Sequence, residues 1–105
     1  MPDRTFKAHD LFPPLEATLS DENGPIDLTT ATSVKLLMKS GSTNVTGRCT
    51  VVDAASGRVR YDWIRGDTDT IGTYQVEFEI TWPTGLPETI PNTGYNEIVI
   101  EQDLG

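Results

Sequence analysis

Apolar and polar residues alternate along much of this chain with a period of two. Tyr74, Val76, Phe78, Ile80 and Trp82 alternate with Gln75, Glu77, Glu79 and Thr81, the pattern of a long strand with one buried and one wet face. Val59, Tyr61 and Trp63 alternate in the same way with Arg58, Arg60 and Asp62. So do Val34, Leu36 and Met38 with Lys35, Leu37 and Lys39, and Ile98 and Ile100 with Glu97, Val99 and Glu101. Leu15, Ala17 and Leu19 mark a weaker first strand, and residues 45–52 another. No segment sustains a 3.6-residue repeat, so little or no helix is expected. Asp21-Glu22-Asn23-Gly24-Pro25, Ser40-Gly41-Ser42, Ala55-Ser56-Gly57 and Pro83-Thr84-Gly85 supply turn chemistry between these runs. Strands thus recur about every 10–15 residues, which predicts an all-β, antiparallel sandwich rather than strand–helix–strand units.

Residues 1–9, with mixed charge and no periodicity, are expected to form an N-terminal arm. Residues 10–105 are expected to form the single sandwich domain. Within it, Gly72-Thr73-Tyr74-Gln75-Val76 has the shape of a tyrosine corner, in which a Tyr opening a late strand bonds back to upstream backbone. A plain core Tyr at a strand start fits the same residues. The residue two after the Tyr is Val76 where an antibody domain carries cysteine, and Asp69 sits five before it.

Composition narrows the chemistry. A length of 105 residues argues for one domain, and 36% hydrophobic content suffices for one core. Eight basic residues against 16 acidic ones give a net charge of −8, which argues against a nucleic-acid partner. No apolar run is long enough for a membrane span, and Met1-Pro2-Asp3-Arg4 lacks the apolar stretch of a signal peptide. With one cysteine, Cys49, and one histidine, His9, neither an internal disulfide nor a usual zinc site can be assembled. No metal and no cofactor is expected.

Several motifs invite a function and have a simpler reading. Arg65-Gly66-Asp67 matches an integrin-binding tripeptide, but reads as a solvated turn around Gly66. Asn44-Val45-Thr46 is a glycosylation acceptor without a secretory signal to expose it. Asp67 with Asp69, and Asp21, Glu22, Asn23 and Asp27, could offer oxygens to calcium, yet the spacing of a calcium loop is missing. His9 lies in the arm, where no base is held in place, and Cys49 reads as a small buried hydrophobe. Glu77 and Glu79 lie about 7 Å apart on one strand face. They are expected to face cations on neighbouring strands such as Arg58 and Arg60. No catalytic residue is assigned, and the chain reads as non-enzymatic.

The apolar residues on wet faces carry more information. Leu37, Val52 and Val99 fall where alternation assigns solvent. The arm and its junction carry Phe6, Leu11 and Phe12. These six are the candidate contact residues for another subunit, the arm reaching out to add a strand to a neighbour's sheet.

Asp10…Pro14-Leu15…Thr18-Leu19, Asp21…Gly24…Asp27-Leu28-Thr29…Ala31-Thr32-Ser33-Val34…Leu36…Met38 and Gly57-Arg58-Val59-Arg60-Tyr61-Asp62-Trp63 form a recognisable series. It continues in Gly66-Asp67-Thr68…Gly72-Thr73-Tyr74-Gln75-Val76-Glu77-Phe78-Glu79-Ile80 and Gly85…Glu88-Thr89…Pro91…Gly94-Tyr95. The series resembles the N-terminal domain of phage baseplate upper proteins. The resemblance implies an immunoglobulin-like β-sandwich acting as a structural part of a tailed-phage virion, on tail or baseplate or on head or neck. It covers only that family's N-terminal domain, so the adaptor role of the family's remaining chain is not carried over. Partners would be other virion structural proteins, with the chain homo-oligomeric or multicopy in a particle assembled in the host cytoplasm. The other reading is a carbohydrate-binding module aiding host attachment. Against it, alternation assigns Trp63 and Trp82 to the core, leaving Phe6, Phe12 and Tyr95 as poor sugar platforms.

Overall fold

A computed structural model describes residues 4–91 and 96–104, and all their regular structure is β. The strands are β1 (Arg4–Lys7), β2 (Leu15–Thr18), β3 (Ser20–Asp21), β4 (Gly24–Pro25), β5 (Ser33–Ser40) and β6 (Thr43–Arg48). They continue with β7 (Thr50–Asp53), β8 (Arg58–Tyr61), β9 (Gly72–Thr81), β10 (Pro87–Ile90) and β11 (Asn96–Glu101). The four strong alternating runs became β5, β8, β9 and β11. The run expected over residues 45–52 is two strands in different sheets. At Cys49 the chain leaves β5, whose Val34 carbonyl accepts the Cys49 N–H at 2.8 Å, and crosses to β8.

The larger sheet has the order β1-β11-β9-β5-β6, with β10 also paired to β9. The second sheet is β2-β8-β7, and β3 and β4 form a separate small hairpin. Pairing is antiparallel except between β1 and β11, which run parallel with Phe6 opposite Ile100. The all-antiparallel expectation is therefore corrected to a mixed sheet. Residues 4–7 are not a free arm. They alternate too briefly to read as a strand, yet Phe6 and Ala8 are both buried while Thr5 and Lys7 face out. The Phe6 ring meets Trp63 edge-on at 5.1 Å, and the Ala8 N–H bonds the Glu101 carbonyl. Met1, Pro2 and Asp3 lie outside the described residues.

Both sheets feed one core. Val34, Leu36 and Met38 of β5 lie opposite Ile80, Phe78 and Val76 of β9, a row of directly registered apolar pairs. Leu15, Val59 and Tyr61 of the smaller sheet belong to the same buried cluster. Tyr61 packs so closely under β6 that a Cβ on Gly47 would lie 2.5 Å from its ring, so only glycine fits there. Trp63 stays buried although β8 ends at Tyr61. Trp82, assigned to the core, is only half-buried and donates its indole N–H to Glu88 at 3.0 Å.

Phe78→Ala should lower unfolding free energy by about 3–5 kcal/mol, the cost of an aromatic truncation in a packed core. Phe6→Ala should cost about 3 kcal/mol or more on the same ground. Deleting residues 1–9 should cost more than Phe6→Ala, because it also uncovers the edge of β11. Urea unfolding of the three variants checks the order, and a truncated chain as stable as the parent would remove β1 from the fold.

Candidate functional site

The six candidate contact residues do not form one surface. Phe6 is a core residue, and this is a correction: its partner is the chain's own Trp63 rather than another subunit. Val52 is exposed on β7, an edge strand of the smaller sheet. Leu37 and Val99 are half-buried on the outer face of the larger sheet, but Leu37 lies opposite Glu77 and Val99 opposite Thr73. Those two β9 positions are four residues apart, about 13 Å along the strand. Leu11 and Phe12 lie in the loop between β1 and β2, with Phe12 79% exposed.

The loop between β8 and β9 carries two further exposed apolar residues that alternation did not single out. Ile64 is 63% exposed and Ile71 53% exposed, and they bracket the loop between β8 and β9. That loop is bound to the β1–β2 loop at one end of the molecule. The His9 N–H donates to the Thr68 carbonyl, and the buried Thr68 hydroxyl donates to the Asp10 carbonyl. The Trp63 indole N–H donates to the Pro13 carbonyl at 3.1 Å. His9 also lies 3.8 Å from both Asp69 and Asp103, bringing the C-terminal residues to the same end. The available signal was negative: Ile64 and Ile71 are apolar residues in a polar loop, outside any strand period.

Arg65-Gly66-Asp67 sits in this loop and its geometry is that of a turn. Gly66 has φ +100°, which a side chain would strain. The Asp67 carboxylate points inward, where Oδ2 accepts the Tyr61 hydroxyl at 2.6 Å and the Ile64 N–H at 2.9 Å. It is engaged within the fold rather than offered beside Arg65. Seven residues on, the Tyr74 hydroxyl donates to the Thr70 carbonyl four residues before it at 2.6 Å, the back-bond of a tyrosine corner.

The other candidates resolve locally. Asp21 Oδ1 accepts the Asn23 N–H, and Asp27 Oδ1 accepts both the hydroxyl and the N–H of Thr29. The Thr29 hydroxyl and then its N–H hold the Asp27 carboxyl below the ordinary value, so these acids cap turns. Among the described residues, no three His, Cys, Asp or Glu side chains gather where a metal could be held. Asn44 of the acceptor motif lies on β6, an edge strand. Burial pushes the Cys49 thiol up to about 12, which keeps it neutral. Arg58 and Arg60 do not face Glu77 and Glu79, because β8 and β9 lie in different sheets. Arg58 lies 4.0 Å from Glu16 and Arg60 3.1 Å from Asp62, while Glu79 stands opposite Lys35.

The outer face of the larger sheet holds a shallow depression of about 300 Å³. Leu37 contributes its apolar part, and Lys39, Asn44, Thr46, Gln75 and Glu77 surround it. Comparison of the sequence with protein-family models and with curated proteins returned no match. The resemblance to baseplate upper proteins therefore rests on the residues quoted for it.

Asp67→Ala should cost about 2–3 kcal/mol, since it strands the buried Tyr61 hydroxyl. In a Tyr61→Phe background the cost should shrink, and a double-mutant cycle in urea reads the difference. Additive costs would show that the two side chains do not interact. Alkaline pH supplies a second check. Burial raises Cys49 from an ordinary 9.0, and also raises Tyr61 and Tyr74 from an ordinary 10.0. The unfolded chain therefore loses these protons first, and stability present below about pH 9 falls as pH rises further. Thermal melts should show a falling Tm above about pH 9, less steep in Cys49→Val. A Tm flat to about pH 11 would contradict the burial of these groups.

Proposed function

We propose that this chain is a structural protein of a tailed-phage virion, an immunoglobulin-like module that docks on other virion subunits through its loop end. The observation that carries the reading is the exposed apolar group Leu11, Phe12, Ile64 and Ile71 on two loops bound to each other at one end. Exposed apolar side chains on a stiff, hydrogen-bonded scaffold suit a contact surface, because little ordering entropy is lost on docking. The sandwich part of the proposal is supported by strand order. Lettering β2, β5, β6, β7, β8, β9 and β11 as B, C, C′, D, E, F and G gives BED in one sheet and GFCC′ in the other. These seven strands follow the order of their counterparts in a variable-type immunoglobulin domain, with β1, β3, β4 and β10 outside the lettering. Tyr74 then makes its corner bond at the start of F.

The sugar-binding reading draws less support. Trp63 is in the core, Trp82 is half-buried, and Tyr95 lies outside the described residues. Among the described residues, Phe12 remains as the one largely exposed ring.

An antibody against the purified chain should label tailed particles released from the host that carries its coding sequence. The Phe12→Asp, Ile64→Asp double variant should keep the parent's circular dichroism and be lost from those particles. Labelling of no particle would overturn the virion reading. Full incorporation of the folded double variant would move the docking surface away from the loop end.

A further inference from the structure

The outer face of the larger sheet sorts its charges by strand. On β5 and β6, Lys35, Lys39 and Arg48 point outward, and no acidic residue joins them. On β9 and β11 the outward residues include Glu77, Glu79, Glu97 and Glu101. The β5–β6 half of the face is cationic and the half from β9 outward is mainly anionic, with Lys7 of β1 paired to Glu101 at 3.1 Å; the boundary lies between β5 and β9. Among the described residues, Lys35, Lys39, Arg48, Glu77 and Glu79 make no ion pair within 4 Å. Lys35 is the direct cross-strand neighbour of Arg48 on β6 and of Glu79 on β9, so one row across three strands runs from cation to anion over the boundary.

We propose that this face pairs with the same face of a second copy of this chain. The charge pattern selects that occupant: a partner of uniform charge would attract one half and repel the other, whereas a second copy supplies both signs. It also selects the symmetry. A two-fold axis perpendicular to the strands lays the cationic half on the cationic half. A two-fold axis parallel to the strands, over the boundary between β5 and β9, lays β5 of each copy on β9 of the other. Lys35 then opposes Glu79 of the second copy, and because the contact is isologous the pair forms twice.

Size sets the strength. This axis leaves β1 outside the overlap, so four strands at about 4.8 Å spacing and about six residues of length give roughly 380 Å² of face per copy. That is at the small end for a specific contact, so the dimer is weak and concentration-dependent. At physiological ionic strength the Debye length is about 8 Å, so the net charge of the two copies opposes pairing only weakly beyond the contact itself. The inference concerns the purified chain and stands or falls separately from the virion reading.

Sedimentation equilibrium from roughly 10 µM to 1 mM, a range suited to weak association, tests it. The parent should show a reversible monomer–dimer equilibrium. Lys35→Glu and Glu79→Lys should each weaken it about tenfold or more, since each change makes two repulsive contacts. Mixing the two single variants should restore association, because the variants then complement each other at both contacts. The Lys35→Glu, Glu79→Lys double variant should also pair with itself. A parent that stays monomeric up to about 1 mM overturns the proposal. So do single variants that dimerise like the parent, which would place the contact elsewhere. Folded single variants that fail to associate when mixed would exclude the Lys35–Glu79 register.

Discussion

The fold depends on burying one face of β9. This strand runs from Gly72 to Thr81 and is hydrogen-bonded on both sides, by β5 along one edge and by β11 then β10 along the other. A strand can be buried only if its N–H and C=O groups have partners, and β9 has them over almost its whole length. Its inner residues Tyr74, Val76, Phe78 and Ile80 are each no more than 2% exposed. An apolar row of that size has to be covered, and Leu15, Val59 and Tyr61 from the second sheet join the cluster that covers it. Among the described residues no second layer covers the same strand's outer face, and polar residues alternate there.

Aromatic side chains with polar handles connect this core to the loop end. Tyr61 and Trp63 stand edge-to-face at 5.4 Å, and Phe6 completes the group against Trp63. Their polar atoms are satisfied outside the core: Tyr61 bonds Asp67 and Trp63 bonds the Pro13 carbonyl. Buried tyrosine and tryptophan need such partners, and here the partners are loop residues. The loops are consequently held by the core's own hydrogen-bond requirements, and Ile64 and Phe12 project from positions fixed within a few residues of those bonds.

Periodicity revealed the long strands because each alternates over five or more residues. It missed β1, where Phe6 and Ala8 give only two inward positions, and β10, where Pro87 and Pro91 bound a strand of four residues. It ran β6 and β7 together because Cys49 keeps the alternation in phase while the chain changes sheets. Face direction was legible for Leu37 and Val99, but their separation was not. Which residues lie side by side across strands depends on register, and register is fixed by pairings between distant segments. The same gap explains Glu77 and Glu79: their outward direction was correct, while their neighbours on β5 follow from a sheet order that no local pattern contains. Ile64 and Ile71 escaped because their role comes from the loop they bracket rather than from any repeat.

Register also turns a bland sequence feature into a surface. The β5–β6 hairpin carries lysine and arginine at its outward positions, and β9 and β11 carry glutamate, each an ordinary solvated strand face when read alone. Topology places β5 directly beside β9, so two local compositions become the two halves of one face. The Lys35–Glu79 row lies seven residues along β9 from Gly72, about 23 Å from the end where the apolar loops gather. A contact through that row and a contact through the loops thus use different parts of the molecule.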